Sequence, residues 1–206
     1  MDVAIPIFDG ITALDAIGPY EVLSRLPDTR VDFIAKEPGP KRTGNGMLTL
    51  TADRALSDVP HPEVVVVPGG HGTRPLMRDE ELLAWLRVAH ESTEWTTSVC
   101  TGALLLGAAG LLDGLEATTH WRVLGQLAEL GAIPVSRRVV EQGKVITAAG
   151  VSSGIDMALT LAARIAGEDV ARAIQLAIEY DPEPPFDSGS TDKASDEIVE
   201  LAGRLA

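Results

Sequence analysis

Short β-branched runs alternate along this chain with longer segments whose apolar positions recur every three or four residues. That alternation predicts an α/β fold, a doubly wound, mainly parallel sheet with helices on both faces. Val3–Phe8 and Val31–Ala35 read as the first two strands, and Glu63–Val67, almost unbroken valine, as a central strand buried on both faces. Gly18 followed by Pro19 predicts a first helix over Pro19–Leu26, with the proline in its first turn. Alternating Met47, Thr49 and Thr51 within Gly44–Ala52 predict a short ribbon. Asp79–Glu91 carries an apolar stripe of Leu82, Leu83, Leu86 and Ala89 behind an acidic start, the signature of an amphipathic helix. A strand then leads into Cys100, and a small-residue helix follows it, closing at Asp113-Gly114. Ala117–Thr119 reads as a short strand, Trp121–Leu130 as a helix stopped by Gly131, and Val139–Thr147 as a hairpin turning at Gln142-Gly143. Two helices complete the pattern, over Ser152–Ala166 and Glu168–Tyr180.

The pattern changes after Tyr180. Asp181–Glu200 holds seven acids against one lysine, with Pro182, Pro184 and Pro185 near its start. Pro185-Phe186 either pins an extended tail to the body or to a second subunit, or belongs to a solvated surface arm. Residues 1–206 are expected to form one domain with an acidic, proline-containing arm over 181–206, since no repeat, heptad seam or linker divides them.

Composition narrows the function. A net charge of −13 argues against nucleic acid or anionic membranes as partners. A single cysteine excludes an internal disulfide and, with no secretory leader or membrane-length apolar run in view, points to a cytoplasmic protein. Neither metal-ligand spacing nor a phosphate-binding glycine loop is present, so no cofactor is expected.

The chemistry gathers at the carboxyl ends of three strands, where open α/β sheets bind ligands. At the strand-to-helix turn Cys100 lies beside the positive end of a helix dipole, an arrangement expected to favour thiolate and nucleophilic attack; a buried packing cysteine is the alternative. In the loop after the first strand Asp15 sits among Leu14, Ala16 and Ile17, company in which a carboxyl keeps its proton and can act as general acid or base; it could instead cap the first helix. Glu21 is the competing carboxylate and reads as helical surface. Pro68-Gly69-Gly70-His71-Gly72 offers the Gly70 and His71 backbone amides as an oxyanion hole, and His71 itself as a base or as polar surface. Thr101 either hydrogen-bonds a substrate, a water or Asp15, or caps the helix after the cysteine. His120 reads as structural.

These residues resemble a known family. S-V-C-T-G, G-A-A-G-L-L, A-T-T-H-W and L-D-A-I-G-P-Y-E-V are similar to the ThiJ/PfpI superfamily, whose fold is flavodoxin-like. More narrowly, K-E-P-G-P, P-G-G-H-G, Q-L-A-I-E-Y and P-E-P-P-F resemble its isonitrile hydratase branch. The resemblance implies that Cys100 is the nucleophile, that Asp15 is the acid/base group, and that Thr101 and the Gly70–His71 backbone line the site. It implies hydration of an isonitrile to an N-substituted formamide through a thioimidate, a small-molecule substrate and a homodimer. Thr101 and Asp15 depart from the His and Glu common in protease-like and glyoxalase-like cousins, while His71 stands where a hydratase is expected to carry Thr. Competing expectations are a small-molecule-binding domain like those of AraC-type regulators, a redox sensor, or a glyoxalase-like enzyme.

Overall fold

A computed structural model describes residues 1–205; Ala206, the last residue of the expected arm, lies outside the described residues. The chain runs through β1 (Asp2–Pro6), α1 (Ala13–Leu23), β2 (Arg30–Ala35), β3 (Gly39–Arg42), β4 (Thr49–Ala52) and β5 (Arg54–Ala55) to β6 (Val64–Val67). It continues through α2 (Thr73–Leu76), α3 (Glu80–Ser92), β7 (Trp95–Val99), α4 (Gly102–Ala108), β8 (Glu116–Ala117), α5 (Gln126–Glu129) and β9 (Ile133–Pro134). The hairpin β10 (Val139–Gln142) and β11 (Val145–Ala148) leads to α6 (Ser153–Ala166), α7 (Glu168–Ala177) and α8 (Asp196–Leu205).

Seven strands form the main sheet in the order β10-β11-β7-β6-β1-β2-β5. All its neighbours are parallel except the hairpin pair β10–β11. The four valines of β6 are all buried, as the unbroken run predicts for a central strand. From β1 the chain moves outward to β2 and later returns on the other side as β6, so the switch in winding direction lies between β1 and β6. The loops after β1, β6 and β7 meet there, which is where this class of sheet places its sites.

Several elements differ from expectation for identifiable reasons. The first helix begins at Ala13, six residues before Pro19, and Asp15 is therefore in its first turn rather than in a loop. Gly18-Pro19 looks like a helix start locally, but burial of Ala16, Pro19, Val22 and Leu23 outweighs the missing backbone donor. A Cβ on Gly18 would lie 3.1 Å from Ile155 Cγ1, and one on Gly154 would lie 3.3 Å from Pro19 Cγ, so small residues let α1 and α6 approach closely. The ribbon pairs β3 with β4 antiparallel, its first strand lying earlier than Gly44. The segment expected as one helix over Trp121–Leu130 breaks at Gly125 into a 3-10 turn, Trp121–Val123, and the single turn of α5. The helix after Cys100 stops at Ala108, well short of Asp113. Phe186 is exposed and pins no tail to the body of its own chain, and the arm gains a helix, α8, that buries none of its residues.

Candidate active site

Cys100 follows the last residue of β7 with φ at +56°, left-handed space that costs an ordinary residue roughly 1–2 kcal/mol. The turn is held on every side. The Cys100 amide donates to the carbonyls of Ala148 (3.1 Å) and Ala149 (2.8 Å), and its own carbonyl accepts from the Thr119 hydroxyl at 2.6 Å. Gly102 completes the elbow, because a Cβ there would overlap the Val67 carbonyl oxygen. The sharp turn thus lifts the thiol out of the sheet while the strand beneath stays paired.

Asp15 comes up beside it from α1, with no solvent exposure. Its Oδ2 accepts from the Gly69 amide at 3.0 Å, and Oδ1 has no hydrogen-bond partner in the protein. Gly69 has no room for a side chain: a Cβ would lie 2.6 Å from Thr101 Oγ1 and 2.9 Å from Asp15 Oδ2. Burial raises the Asp15 carboxyl from 3.8 to about 7, against smaller opposing effects of the Gly69 amide and the Cys100 thiol. Burial, and then the Asp15 charge, push the Cys100 thiol up to about 12, although the Val151 and Thr101 amides act the other way.

This reverses the expected thiolate. A helix terminus is worth about 0.3–1 kcal/mol to a nearby charge, whereas a rise from 9.0 to about 12 corresponds to roughly 4 kcal/mol. The seven-residue α4 cannot offset a buried carboxylate neighbour. The pair rests as a thiol beside a carboxyl poised to titrate near neutrality.

The remaining residues are placed as follows. Thr101 Oγ1 accepts from the Gly70 amide at 2.8 Å and donates to the Gly70 carbonyl at 3.1 Å. Its hydroxyl therefore ties the loop after β6 to the elbow and does not cap α4. The same bond occupies the Gly70 amide, so of the two expected oxyanion donors only that of His71 makes no close hydrogen bond among the described residues, although the antiparallel bridge between Ile11 and Gly70 pairs it loosely with Gly10. Glu21 is exposed and pairs with Arg25 at 2.7 Å, away from the thiol.

Above the sulfur lies a cavity of about 200 Å³, lined among others by Thr12, Gly70, His71, Cys100, Thr101 and Val151. Its wall also holds His120, which reads in the sequence as structural, and Arg74 and Arg122, which the sequence does not mark as site residues. His120 serves structure as expected, since its Nδ1 accepts the Arg122 amide at 3.4 Å, but it faces the site as well. Burial, then Arg122 and Arg74, lower its pKa and keep the ring neutral. Nothing in P-G-G-H-G-T-R or T-T-H-W-R marks those arginines, because only tertiary folding brings the two segments to one mouth. Among the described residues no cluster of three or more His, Cys, Asp or Glu could hold a metal, and no helix is long and apolar enough to cross a membrane.

Comparisons with known proteins agree with this fold. The model of the DJ-1/PfpI family matches residues 1–164. The chain is 45% identical over 206 residues to an isonitrile hydratase of Pseudomonas putida, covering 100% of this chain and 90% of that protein. A crystal structure of a ThiJ/PfpI family protein from Pseudomonas syringae superposes with a TM-score of 0.94 at 35% identity, covering 99% of this chain and 86% of that one. The chain is also 30% identical over 172 residues to the transcriptional regulator CdhR of Pseudomonas aeruginosa, covering 81% of this chain but 50% of the regulator.

Proposed function

The chain belongs to the DJ-1/PfpI family, and from that premise we propose that it hydrates isonitriles to N-substituted formamides, with Cys100 as nucleophile and Asp15 as the proton carrier. The observation that carries this reading is the pairing of the only thiol, which lines a small cavity, with a buried carboxyl beside it. The likeness to an isonitrile hydratase along the whole chain supports it.

The ionisation states set the order of events. A thiol near 12 does not wait as thiolate; it must be deprotonated as it reacts. Asp15, ionised in about half the molecules near pH 7, accepts the thiol proton while sulfur bonds to the terminal carbon of R–N≡C. The same carboxyl then gives that proton to the carbon, leaving the thioimidate S–CH=N–R and a free carboxylate. Oδ1, which has no other partner, is the oxygen suited to this exchange. Water next adds to the carbon, its proton passing through Asp15 to nitrogen. The tetrahedral adduct collapses, the C–S bond breaks, and the hydroxyl proton returns to sulfur, releasing R–NH–CHO. In this reading the His71 amide is the backbone donor that stabilises the oxygen in that step.

Thr101 and Gly70 act as scaffolding, holding the loop and the elbow in register. A redox-sensing role fits less well, because oxidation needs thiolate and the site suppresses it. The test is formamide production from para-nitrophenyl isocyanide, run beside methylglyoxal as the glyoxalase control. The reading expects formamide from the wild type and a loss of orders of magnitude in Cys100→Ala. Turnover of methylglyoxal alone would overturn it.

A further inference from the structure

The walls of the Cys100 cavity carry a charge pattern that hydration of an isonitrile does not itself require. Arg74, Arg122, His71 and His120 line it, and no acidic residue does. The molecule as a whole has a net charge of −13, and most of its arginines pair with carboxylates. Among the described residues neither Arg74 nor Arg122 has such a partner. The cavity is therefore a local reversal of the molecule's charge.

Arg122 is also held in place. Its guanidinium lies 5.2 Å from the centre of the Trp121 ring, and one terminal nitrogen donates to the Ala202 carbonyl. Its Nε is buried and makes no hydrogen bond. No carboxylate among the described residues neutralises this guanidinium, and its residue lines the cavity. Arg74 reaches the same mouth from α2, directly after the Gly70–His71 loop. Two guanidiniums lining one cavity suit a planar anion, which accepts charge-assisted hydrogen bonds from both.

We infer that this cavity selects an anionic substrate: a small aliphatic isonitrile carrying a carboxylate, with Arg74 and Arg122 gripping the carboxylate while the isonitrile carbon meets Cys100. The volume of about 200 Å³ has room for a short isonitrile acid. The positive potential is felt within the site, since both arginines contribute to holding His120 neutral. That the reacting group is an isonitrile rests on the proposed hydratase activity; the preference for an anion stands on the arginines.

Two measurements on the full chain separate these claims. Cys100 is the only thiol, so alkylation reports on this site alone. Rates with iodoacetate (anionic) and iodoacetamide (neutral) are compared by intact mass, with N-acetylcysteine as the reference thiol. The acetate-to-acetamide ratio at Cys100 is expected to exceed the reference ratio by roughly tenfold, the scale of one hydrogen bond to a charged group. Arg74→Gln and Arg122→Gln should each pull the ratio back, Arg74→Lys should restore part of it, and added salt should shrink it. Arg74 is exposed, so its variants fold even if Arg122→Gln does not. In parallel, kcat/KM for isocyanoacetate should exceed that for its methyl ester, and Arg74→Gln should lower this acid-to-ester ratio.

A ratio at or below the reference, or one unmoved by both arginine substitutions, overturns the inference. So does equal turnover of acid and ester, which would leave the hydratase assignment standing. If no isonitrile turns over, the hydratase assignment falls, and the alkylation ratio alone decides whether the cavity selects anions.

Discussion

In the proposed hydration Asp15 is the residue on which the chemistry turns, because one buried carboxyl has to be a base before attack and an acid just after it. A group with a pKa of about 7 serves both needs near neutral pH. The rate should therefore rise about tenfold per pH unit below 7 and level off above it, as Asp15 ionises while the thiol stays protonated. A pH profile of kcat/KM checks this; a rate that kept rising to pH 10 would identify the free thiolate as the reactive form instead. The same burial has a thermodynamic signature of opposite sense. The folded-state pKa lies above the unfolded value of 3.8, so the native state binds the extra proton between pH 4 and 7, and stability falls as pH rises through that window. The full loss is about 4 kcal/mol, from a displacement of roughly three pH units. Asp15→Asn should abolish turnover yet flatten this part of the stability curve, which denaturant titrations at pH 4.5 and pH 8 would measure.

At the scale of elements, the site exists because backbones approach closely where glycines allow it. α1 carries Asp15 inward only because it lies tight on α6, with Gly154 facing Pro19 and Val99. A Cβ at Gly154 would stand 3.1 Å from both Val99 methyl carbons, so a bulky residue must push α6 away from β7 and α1. Gly154→Val is expected to cost about 1–3 kcal/mol and to lower activity by moving α1, and with it Asp15, relative to Cys100. Thermal unfolding and the same formamide assay read both effects; full activity at unchanged Tm would show that the α1–α6 contact does not position the acid. At this scale the sequence was only partly legible. The break in pattern at Cys100 and the valine run of β6 are local signals, and they located the elbow and the central strand. Gly18-Pro19 is also a local signal, but burial of the helix face around it prevailed, so α1 began six residues earlier than the dipeptide suggests. The thiol's ionisation could not be read locally either: sequence shows that a helix follows the cysteine, not that a buried carboxylate stands beside it. Arg74 and Arg122 were invisible for the same reason, being more than forty residues apart until the fold joins them.

The whole molecule divides into a tightly packed sheet and a loosely attached end. The core holds the switch point and the three loops that form the site, whereas α8 buries none of its residues. Removing the chain from Asp196 onward should lower Tm by less than about 4 °C, the equivalent of roughly 1 kcal/mol for a chain of this size. A larger fall in calorimetry would show that the helix is integral to the core. Loss of Ala202 would free one nitrogen of Arg122, so any change in this truncated form should appear in substrate preference rather than in folding.

The central claim is that substrate becomes covalently attached to one sulfur and leaves through water. Intact-protein mass spectrometry of the enzyme, acid-quenched while turning over an isonitrile, tests it most directly. A gain equal to one whole substrate molecule is expected on Cys100 of the wild type, appearing before formamide, decaying as substrate runs out, and missing from Cys100→Ala. Sustained formamide production by Cys100→Ala, or by a wild type that never gains that mass, would contradict the account.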